Sequence, residues 1–403
     1  MNRKFDILVA GAGIAGLTVA ALLAKGQQGD RLNIRLVDAG ARPGFDAEDD
    51  VALRVSAISA GSSQLYSTLG AWDRVTVARA SPFREMRVWD ADFGVESAAA
   101  LHFDAAEFAL PELGFIVENV LLQDALLHLL DATDATLRFD TAIEALRPAS
   151  GGGMEVECAD GDTLHADLVI GADGASSAIR KHMKIAVTAW RYPQSAFVAH
   201  LTPEKDHREC AWQRFLATGP LALLPLGDGR VSVVWSTTPE LASEAGAATD
   251  RELGAMLTKA SDGVLGELAA GGNRGTFPLK AQHAVRYVAP GTALIGDAAH
   301  SIHPLAGQGA NLSVADAAVL ARVVADAVLA GEHPGDLPVL RRYERSRKGA
   351  NATMLYFVDA LNRLFSSQSP RTSALRGGGM RLFNLSGPLR RRAVGVALGL
   401  PHA

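Results

Sequence analysis

The chain opens on an unbroken apolar run, Ile7 to Ala24 (ILVAGAGIAGLTVAALLA), 18 residues without a charge. Its leading part, Phe5-Asp6-Ile7-Leu8-Val9-Ala10, has the continuous apolar character of a strand covered on both faces. Gly11 to Gly16 interrupts the run as a turn, Leu17 to Lys25 resumes it as a helix, and Asn33 to Asp38 predicts a second buried strand. Two further apolar strands are predicted at 167–170 and 292–295, each running into a Gly- and Asp-bearing turn. Between these segments, 84–103 and 195–236 carry alternating, β-branched and aromatic runs such as Val231-Ser232-Val233-Val234-Trp235 and predict a sheet. Glu240 to Ala270 predicts helices with a glycine-rich end, and Leu312 to Ala330 a long amphipathic helix. The stretch GEHPGDLP at 331–338 then separates a C-terminal helical region. The order implies an α/β fold in which a β-sheet substrate domain is inserted into a nucleotide-binding domain.

A membrane helix or a secretory signal would share the apolar length of 7–24. The placement of its glycines, and Asp6 and Lys25 close on either side, argue for a different reading. Gly11-Ala12-Gly13-Ile14-Ala15-Gly16 is G-x-G-x-x-G inside a βαβ unit, with Asp38 lying 22 residues after the third glycine. Gly11 permits the tight turn, Gly13 lets the backbone approach a pyrophosphate, and Gly16 lets helix and strand pack closely. The helix start offers free N–H groups and positive dipole to phosphates, and Asp38 can accept from ribose hydroxyls.

Composition and charge then narrow the picture. Of 403 residues 48% are hydrophobic, which supplies a core and excludes disorder. Cys158 and Cys210 form no CxxC pair and read as inert thiols in a reducing compartment. A net charge of −5 gives no argument for nucleic acid, and none is expected as a partner. The charge is uneven, however: 360–403 holds seven arginines (363, 371, 376, 381, 390, 391, 392) and no acid, about +7 against −12 for the remainder. Leu361, Leu364, Phe365, Leu382, Phe383, Leu385, Val394, Val396, Leu398 and Leu400 are interleaved with them. Two readings stay open, a solvated helical face and a surface that lies on anionic lipid or a protein partner.

Rival chemistries are poorly supported. His300 and His303 have H-x-x-H spacing, but no third ligand is nearby in sequence, so no metal is expected. No G-x-S-x-G elbow occurs on a strand–helix turn, against a serine hydrolase. Trp212 and Arg214 in AWQRF read as sheet residues, Arg214 on a solvent face; the alternative that one of them lines a pocket stays open.

Taken in order, GAGIAG at 11–16, RVSAIS at 54–59, ENVLLQDALL at 118–127, GADGASSAIR at 171–180, AWQRFLATGPLALLPL at 211–226, GDAAHSIHPLAGQGAN at 296–311 and YERSRK at 343–348 cover nearly the whole chain. Together they resemble the class A flavin-dependent aromatic monooxygenases, the fold of para-hydroxybenzoate hydroxylase. More closely they resemble the ubiquinone-biosynthesis hydroxylases. The resemblance implies a Rossmann-like FAD-binding domain made of 1–80, 104–185 and 281–330, a substrate domain of 81–103 and 186–280, and a C-terminal helical region, 331–403.

The same resemblance implies roles for individual residues. Gly11, Gly13, Ala15, Gly16 and Asp38 would hold the ADP half of FAD, with Gln123 near the pyrophosphate or ribityl chain. Asp173 would serve both FAD and the pyridine nucleotide, and Gly296 and Asp297 the ribityl hydroxyls. Gly307, Gln308, Gly309, Ala310 and Asn311 would face the pyrimidine edge, where a helix start stabilises the anion of reduced flavin. Arg54, His303 and Pro304 are the catalytic candidates, Arg54 close to the flavin, His303 as a positioning group and Pro304 against the ring. Ser313 departs from the glycine usual in GQGxNLG, which implies altered packing rather than lost binding.

The implied activity is hydroxylation of a polyprenyl phenol in ubiquinone biosynthesis, with O2 activated as a flavin C4a-hydroperoxide and no general base evident. NAD(P)H would visit a surface groove transiently, since a second Rossmann domain is absent, or electrons would come from elsewhere. A cytoplasmic protein peripheral on the inner face of the membrane, a ubiquinone-biosynthesis protein complex and a homo-oligomer are compatible with the pattern. Removal of 366–403 is expected to weaken binding to anionic vesicles while FAD stays bound. The alternatives are a flavin oxidoreductase or hydroxylase of another aromatic compound, and a non-catalytic lipid-binding assembly subunit.

Overall fold

The computed structural model describes residues 4–367 and 369–400, so the chain ends at 1–3 and 401–403, included in the first and last expected domains, lie outside it. The leading apolar run forms the strand Phe5–Ala10 and the helix Ile14–Lys25. That strand lies inside a six-stranded sheet ordered Val288–Ala289, Thr292–Leu294, Leu168–Gly171, Phe5–Ala10, Leu32–Val37 and Thr136–Arg138. Pairing is parallel except at the Val288–Ala289 edge. Ile7, Leu8, Val9, Leu168, Val169 and Ile170 are each 1% exposed or less, which explains their unbroken apolar character. The helices Ile14–Lys25, Asn119–Asp131 and Gln308–Leu329 contribute Leu17, Leu126 and Leu320 to the same core.

A second sheet of eight strands runs in the order His300–Ser301, Leu268–Ala284, Val187–Pro203, Val231–Thr237, Gly219–Pro225, Cys210–Leu216, Glu85–Asp90, Leu101–Asp104. One face buries Phe197, Leu221, Val233 and Trp235 against Leu253 and Leu257 in a cluster with the helices Pro239–Ala247 and Asp250–Ala260. A capping box, Thr249 with Glu252, starts the second of these helices. The expected glycine-rich helix end at 268–270 instead begins a 17-residue strand, whose pairing with Val187–Pro203 outweighs its weak local pattern. Arg214 differs from expectation too. It does not lie on a solvent face; its guanidinium donates to the Lys259 and Ala260 carbonyls (3.3 and 3.0 Å) and so closes a helix C-terminus.

The C-terminal region forms the helices Leu337–Ser366, Pro370–Leu385 and Pro388–Leu398. Three of its arginines are paired within the fold: Arg363 with Asp359, Arg390 with Glu107, and Arg376, 5% exposed, with Asp90 and Asp92. Phe365 stacks on Phe215 at 3.8 Å, and Leu398 joins the cluster around Phe83. Gly61 admits the backbone of Gly399 so closely that a Cβ there would lie 2.3 Å from its carbonyl oxygen. The tail is thus packed into the body of the protein. Among the described residues no helix is long and apolar enough to cross a membrane.

Candidate functional site

Parallel pairing sets the carboxyl ends of four neighbouring strands side by side, the place where open α/β sheets bind ligands. Beyond those ends come Gly296-Asp297, Asp173, Gly11 to Gly16, and Asp38. In the first turn Gly11 has φ +106° and its N–H donates to Val37 (2.8 Å). A Cβ on Gly11 would sit 2.4 Å from the Ala172 oxygen, and one on Gly16 only 1.9 Å from the Gly11 oxygen. A Cβ on Gly13 would meet nothing within 4 Å, so the backbone is open on that side. Gly13 is also the N-cap of Ile14–Lys25, where no described side chain caps the helix, so its first N–H groups are free for an anion. Asp38 accepts from the N–H of Ala12 (2.6 Å) and of Gly40 (2.7 Å), and Gln123 donates to the Ala12 carbonyl (2.8 Å). Both side chains therefore shape the glycine turn from outside it.

The opposite wall is the start of Gln308–Leu329. Expected from Leu312, this helix begins four residues earlier; its amphipathic stripe becomes legible only after the small and polar residues 308–311. Gly307 is its N-cap at φ +61°, again with no described side chain capping it, and a Cβ on Gly309 would meet nothing within 4 Å. Asn311 ties this start to the strand Val55–Ser59, accepting from the Ser59 N–H (3.0 Å) and donating to the Ala57 carbonyl (2.8 Å). Ser313 donates to Gly309 (3.0 Å) and packs against Gly296, which adopts φ +56°; Ala15 flanks the same glycine. The departure from glycine at 313 is thus a packing contact behind the helix start.

Asp297 faces the cleft with an exposed surface, yet the surrounding walls desolvate its carboxyl and push it above the usual carboxylate range. Asp173 accepts from the Ile179 N–H through one oxygen (3.1 Å), while its other oxygen is buried with no partner among the described residues. Arg54 is exposed, its guanidinium 6.0 Å from the Phe277 ring. Its loop is pinned from several sides: Ala52 N–H donates to Glu118 (2.6 Å), Arg79 donates to the Asp49 carbonyl (2.7 Å), and Arg230 pairs with Asp50 (2.5 Å). Pro304 is half-buried and its carbonyl accepts from Gly307 (3.1 Å).

The two histidines of the H-x-x-H segment point to different partners. His300 bonds Asp316 (2.6 Å); His303, 1% exposed, donates through Nε2 to Gln194 (3.2 Å) while its Nδ1 accepts from Leu305 N–H (3.2 Å). Both His303 nitrogens are therefore engaged in holding the segment around Pro304. Among the described residues no group of three or more His, Cys, Asp and Glu could hold a metal.

The YERSRK segment has a structural explanation that its sequence did not reveal. Tyr343 donates to the Leu294 carbonyl (2.8 Å), Glu344 accepts from Tyr287 N–H (2.7 Å), and Arg347 pairs with Asp316 (2.7 Å). These bonds fasten the long C-terminal helix to the strand that ends in Gly296-Asp297.

The cradle therefore has two uncapped helix starts, two glycines with open space above them and an unpartnered aspartate oxygen. That is a donor and shape set that fits a long, phosphate-bearing dinucleotide such as FAD. Residues 4–358 match the model of a family described as FAD binding domain. The chain is 38% identical over 403 residues to a 3-demethoxyubiquinol 3-hydroxylase of Escherichia coli (strain K12), covering 99% of this chain and 100% of that protein. It is 35% identical to the ubiquinone biosynthesis monooxygenase COQ6 of Homo sapiens, over 98% of this chain and 93% of the relative. Among solved structures, p-nitrophenol 4-monooxygenase PnpA from Pseudomonas putida DLL-E4 superposes with TM-score 0.78 at 15% identity, covering all of both chains. Klebsiella pneumoniae HpxO complexed with FAD superposes with TM-score 0.74 at 20% identity, covering 99% of this chain and 100% of that one. At those identities the likeness is one of fold.

Proposed function

Because the chain belongs to the FAD-binding-domain family, among the ubiquinone-biosynthesis hydroxylases, we propose that it hydroxylates the ring of a polyprenylated phenol at a membrane surface. The protein is an FAD-dependent monooxygenase of ubiquinone biosynthesis, with NAD(P)H as the family's reductant. The observation that carries the reading is the convergence of Gly13, Asp38, Asp173 and Asp297 at the ends of adjacent parallel strands, facing the uncapped start of Gln308–Leu329.

Bound FAD supplies oxygen activation and redox chemistry. The chain's own residues supply position and environment. Gly13 and the first N–H groups of Ile14–Lys25 receive the phosphates, and Asp38 and Asp297 the sugar and ribityl hydroxyls. The N–H groups at 308–311 and the helix dipole favour negative charge on the group bound there. Arg54 brings a cation to the rim, and His303 holds Pro304 in place. Leu305, Phe215, Val358, Phe365 and Met380 form an apolar cluster beside Pro304 that excludes water from this side.

The membrane part of the proposal rests on the tail. Leu375, Leu382, Leu385, Leu389 and Val396 are 58 to 83% exposed. Beside them, Arg371, Arg381, Arg391 and Arg392 are exposed and form no ion pair with any described residue. Apolar side chains interleaved with unpaired cations match the chemistry of an anionic lipid surface.

The test is the purified protein with its gene deletion alongside. Yellow protein that bleaches with NAD(P)H, recovers in air and converts a prenylated phenol to a product one oxygen heavier is the expected outcome. Normal ubiquinone levels in the deletion strain, with no phenolic precursor accumulating, would overturn the proposal.

A further inference from the structure

The strand Cys210–Leu216 alternates between the two faces of the eight-stranded sheet. Trp212, Arg214 and Leu216 face the helices Pro239–Ala247 and Asp250–Ala260. Ala211, Gln213 and Phe215 face the other way, where Phe215 packs with Leu305, the residue after Pro304. Cross-strand register then extends Gln213 into a row across that inner face: Val88, Gln213, Ala222, Val234, Val198, Gly275. Neighbouring members are about 4.8 Å apart. Every member but Gln213 is apolar or small, and Val198, Ala222 and Val234 are only half-buried although they face inward. At the far end a Cβ on Gly275 would lie 2.9 Å from Leu53, the neighbour of Arg54. The row therefore runs as a floor between the Arg54 segment and the Pro304 segment.

Gln213 is the one polar side chain in this row. It is 5% exposed, and its amide forms no hydrogen bond with any described residue. A buried amide without a partner destabilises a fold, so such a group in an otherwise apolar floor calls for a ligand. An amide both donates and accepts, which matches a phenolic hydroxyl, while Ala222, Val234 and Val198 suit the apolar remainder of a ring and its substituents.

We propose that Gln213 is the specificity-determining residue for the substrate's ring hydroxyl, read by its side-chain amide at the edge of the Ala222–Val234–Val198 floor. The inference rests on the reading of the site as a hydroxylase of prenylated phenols. Discrimination arises because an analogue lacking the hydroxyl leaves the amide unpaired in the complex.

The test uses FAD-loaded protein and two probes, 2-prenylphenol and prenylbenzene, titrated against the visible flavin spectrum. The wild type is expected to bind the phenol about 10-fold or more tightly than the hydrocarbon. Gln213→Met, an apolar side chain of the same length, is expected to bring that ratio below about 2-fold, with FAD content unchanged and Tm equal or higher. A variant that keeps the preference overturns the assignment, as does a wild type with no preference. A fall in Tm with the preference retained identifies a structural amide and overturns it too. Turnover is scored separately: wild type that shows the Gln213-dependent preference but hydroxylates no prenylated phenol sinks the functional reading and leaves the binding assignment standing.

Discussion

His300 Nε2 and Asp316 Oδ2 lie 2.6 Å apart, with 2% and 0% of their side chains exposed, and this contact joins the Gly296-Asp297 turn to the helix Gln308–Leu329. Burial by itself would raise the Asp316 carboxyl, but His300, Arg347 (2.7 Å) and Asn351 (2.9 Å) outweigh it and hold the group below the usual range. Asp316 also accepts from the Gly296 N–H at 3.2 Å. Removing it would strand two partners in a dry interior. Asp316→Ala is therefore expected to cost about 3–5 kcal/mol and to lower FAD retention by loosening Gly296. Urea unfolding, followed with flavin content after gel filtration, checks both effects; an undiminished midpoint would contradict the account.

The glycine turn separates a folding role from a binding role. At Gly11, φ is +106° and a Cβ would collide with Ala172, so Gly11→Ala is expected to yield little folded protein. At Gly13 φ is −72° and a Cβ meets nothing, so Gly13→Ala should fold with near wild-type Tm. Its methyl would stand where phosphates approach, and FAD affinity is expected to fall by about 10- to 100-fold, roughly 1.4–2.8 kcal/mol. Fluorescence titration of apoprotein with FAD reads this directly. Wild-type affinity in Gly13→Ala would place the pyrophosphate elsewhere.

The tail arginines divide in the same way. Arg371, Arg381, Arg391 and Arg392 are exposed and unpaired with described residues, whereas Arg376 is buried against Asp90. Changing the four to Gln should leave Tm within about 1 kcal/mol of wild type in stability and weaken binding to phosphatidylserine vesicles, by up to about 1 kcal/mol per charge. Arg376→Gln should instead destabilise the fold, because Asp90 would be left buried and uncompensated. Truncation at 366 would uncover Phe215, Phe83 and Gly61, so retention of FAD in a truncated chain is not expected, contrary to the expectation from composition. Vesicle flotation with the fourfold variant decides the membrane role: unchanged binding would leave a solvated face.

How legible this was in the sequence followed the range of the contacts involved. The first βαβ unit was readable because Phe5–Ala10 and Ile14–Lys25 obey local rules of periodicity and glycine placement. The sheet strands at 195–236 were readable from alternation. Gln213 was not singled out: its neighbours Trp212 and Arg214 drew attention as large residues, and only the pairing register shows that they face a helix while Gln213 faces inward. Asp316 sat unnoticed in an alanine-rich helix, since its partners His300 and Arg347 lie 16 and 31 residues away and no spacing rule connects them. The tail's charge was visible, but not that Asp90, Asp92 and Glu107 meet three of its arginines from distant strands and turns.

His303 gives the last prediction, a pH dependence of known sign. Burial pushes its imidazole down from 6.5 to about 4, and the nearby Asp359 only partly offsets this. Above pH 6.5 the folded and unfolded chains both hold the ring neutral, and no penalty applies. As pH falls from 6.5 towards 4 the unfolded chain binds a proton that the folded chain refuses, so stability declines with acid through this window. The full loss is about 3 kcal/mol and is complete below pH 4. His200 and His283 are also lowered by burial, so the His303 share must be isolated by substitution. His303→Gln is expected to be less stable than wild type at pH 7.5, because the bonds to Gln194 and Leu305 are disturbed. That gap should narrow by about 2 kcal/mol by pH 4.5, since the variant has no imidazole to protonate. Urea midpoints for the two proteins across pH 7.5 to 4.5 test this; curves that stay parallel would show that His303 is not held neutral by the fold.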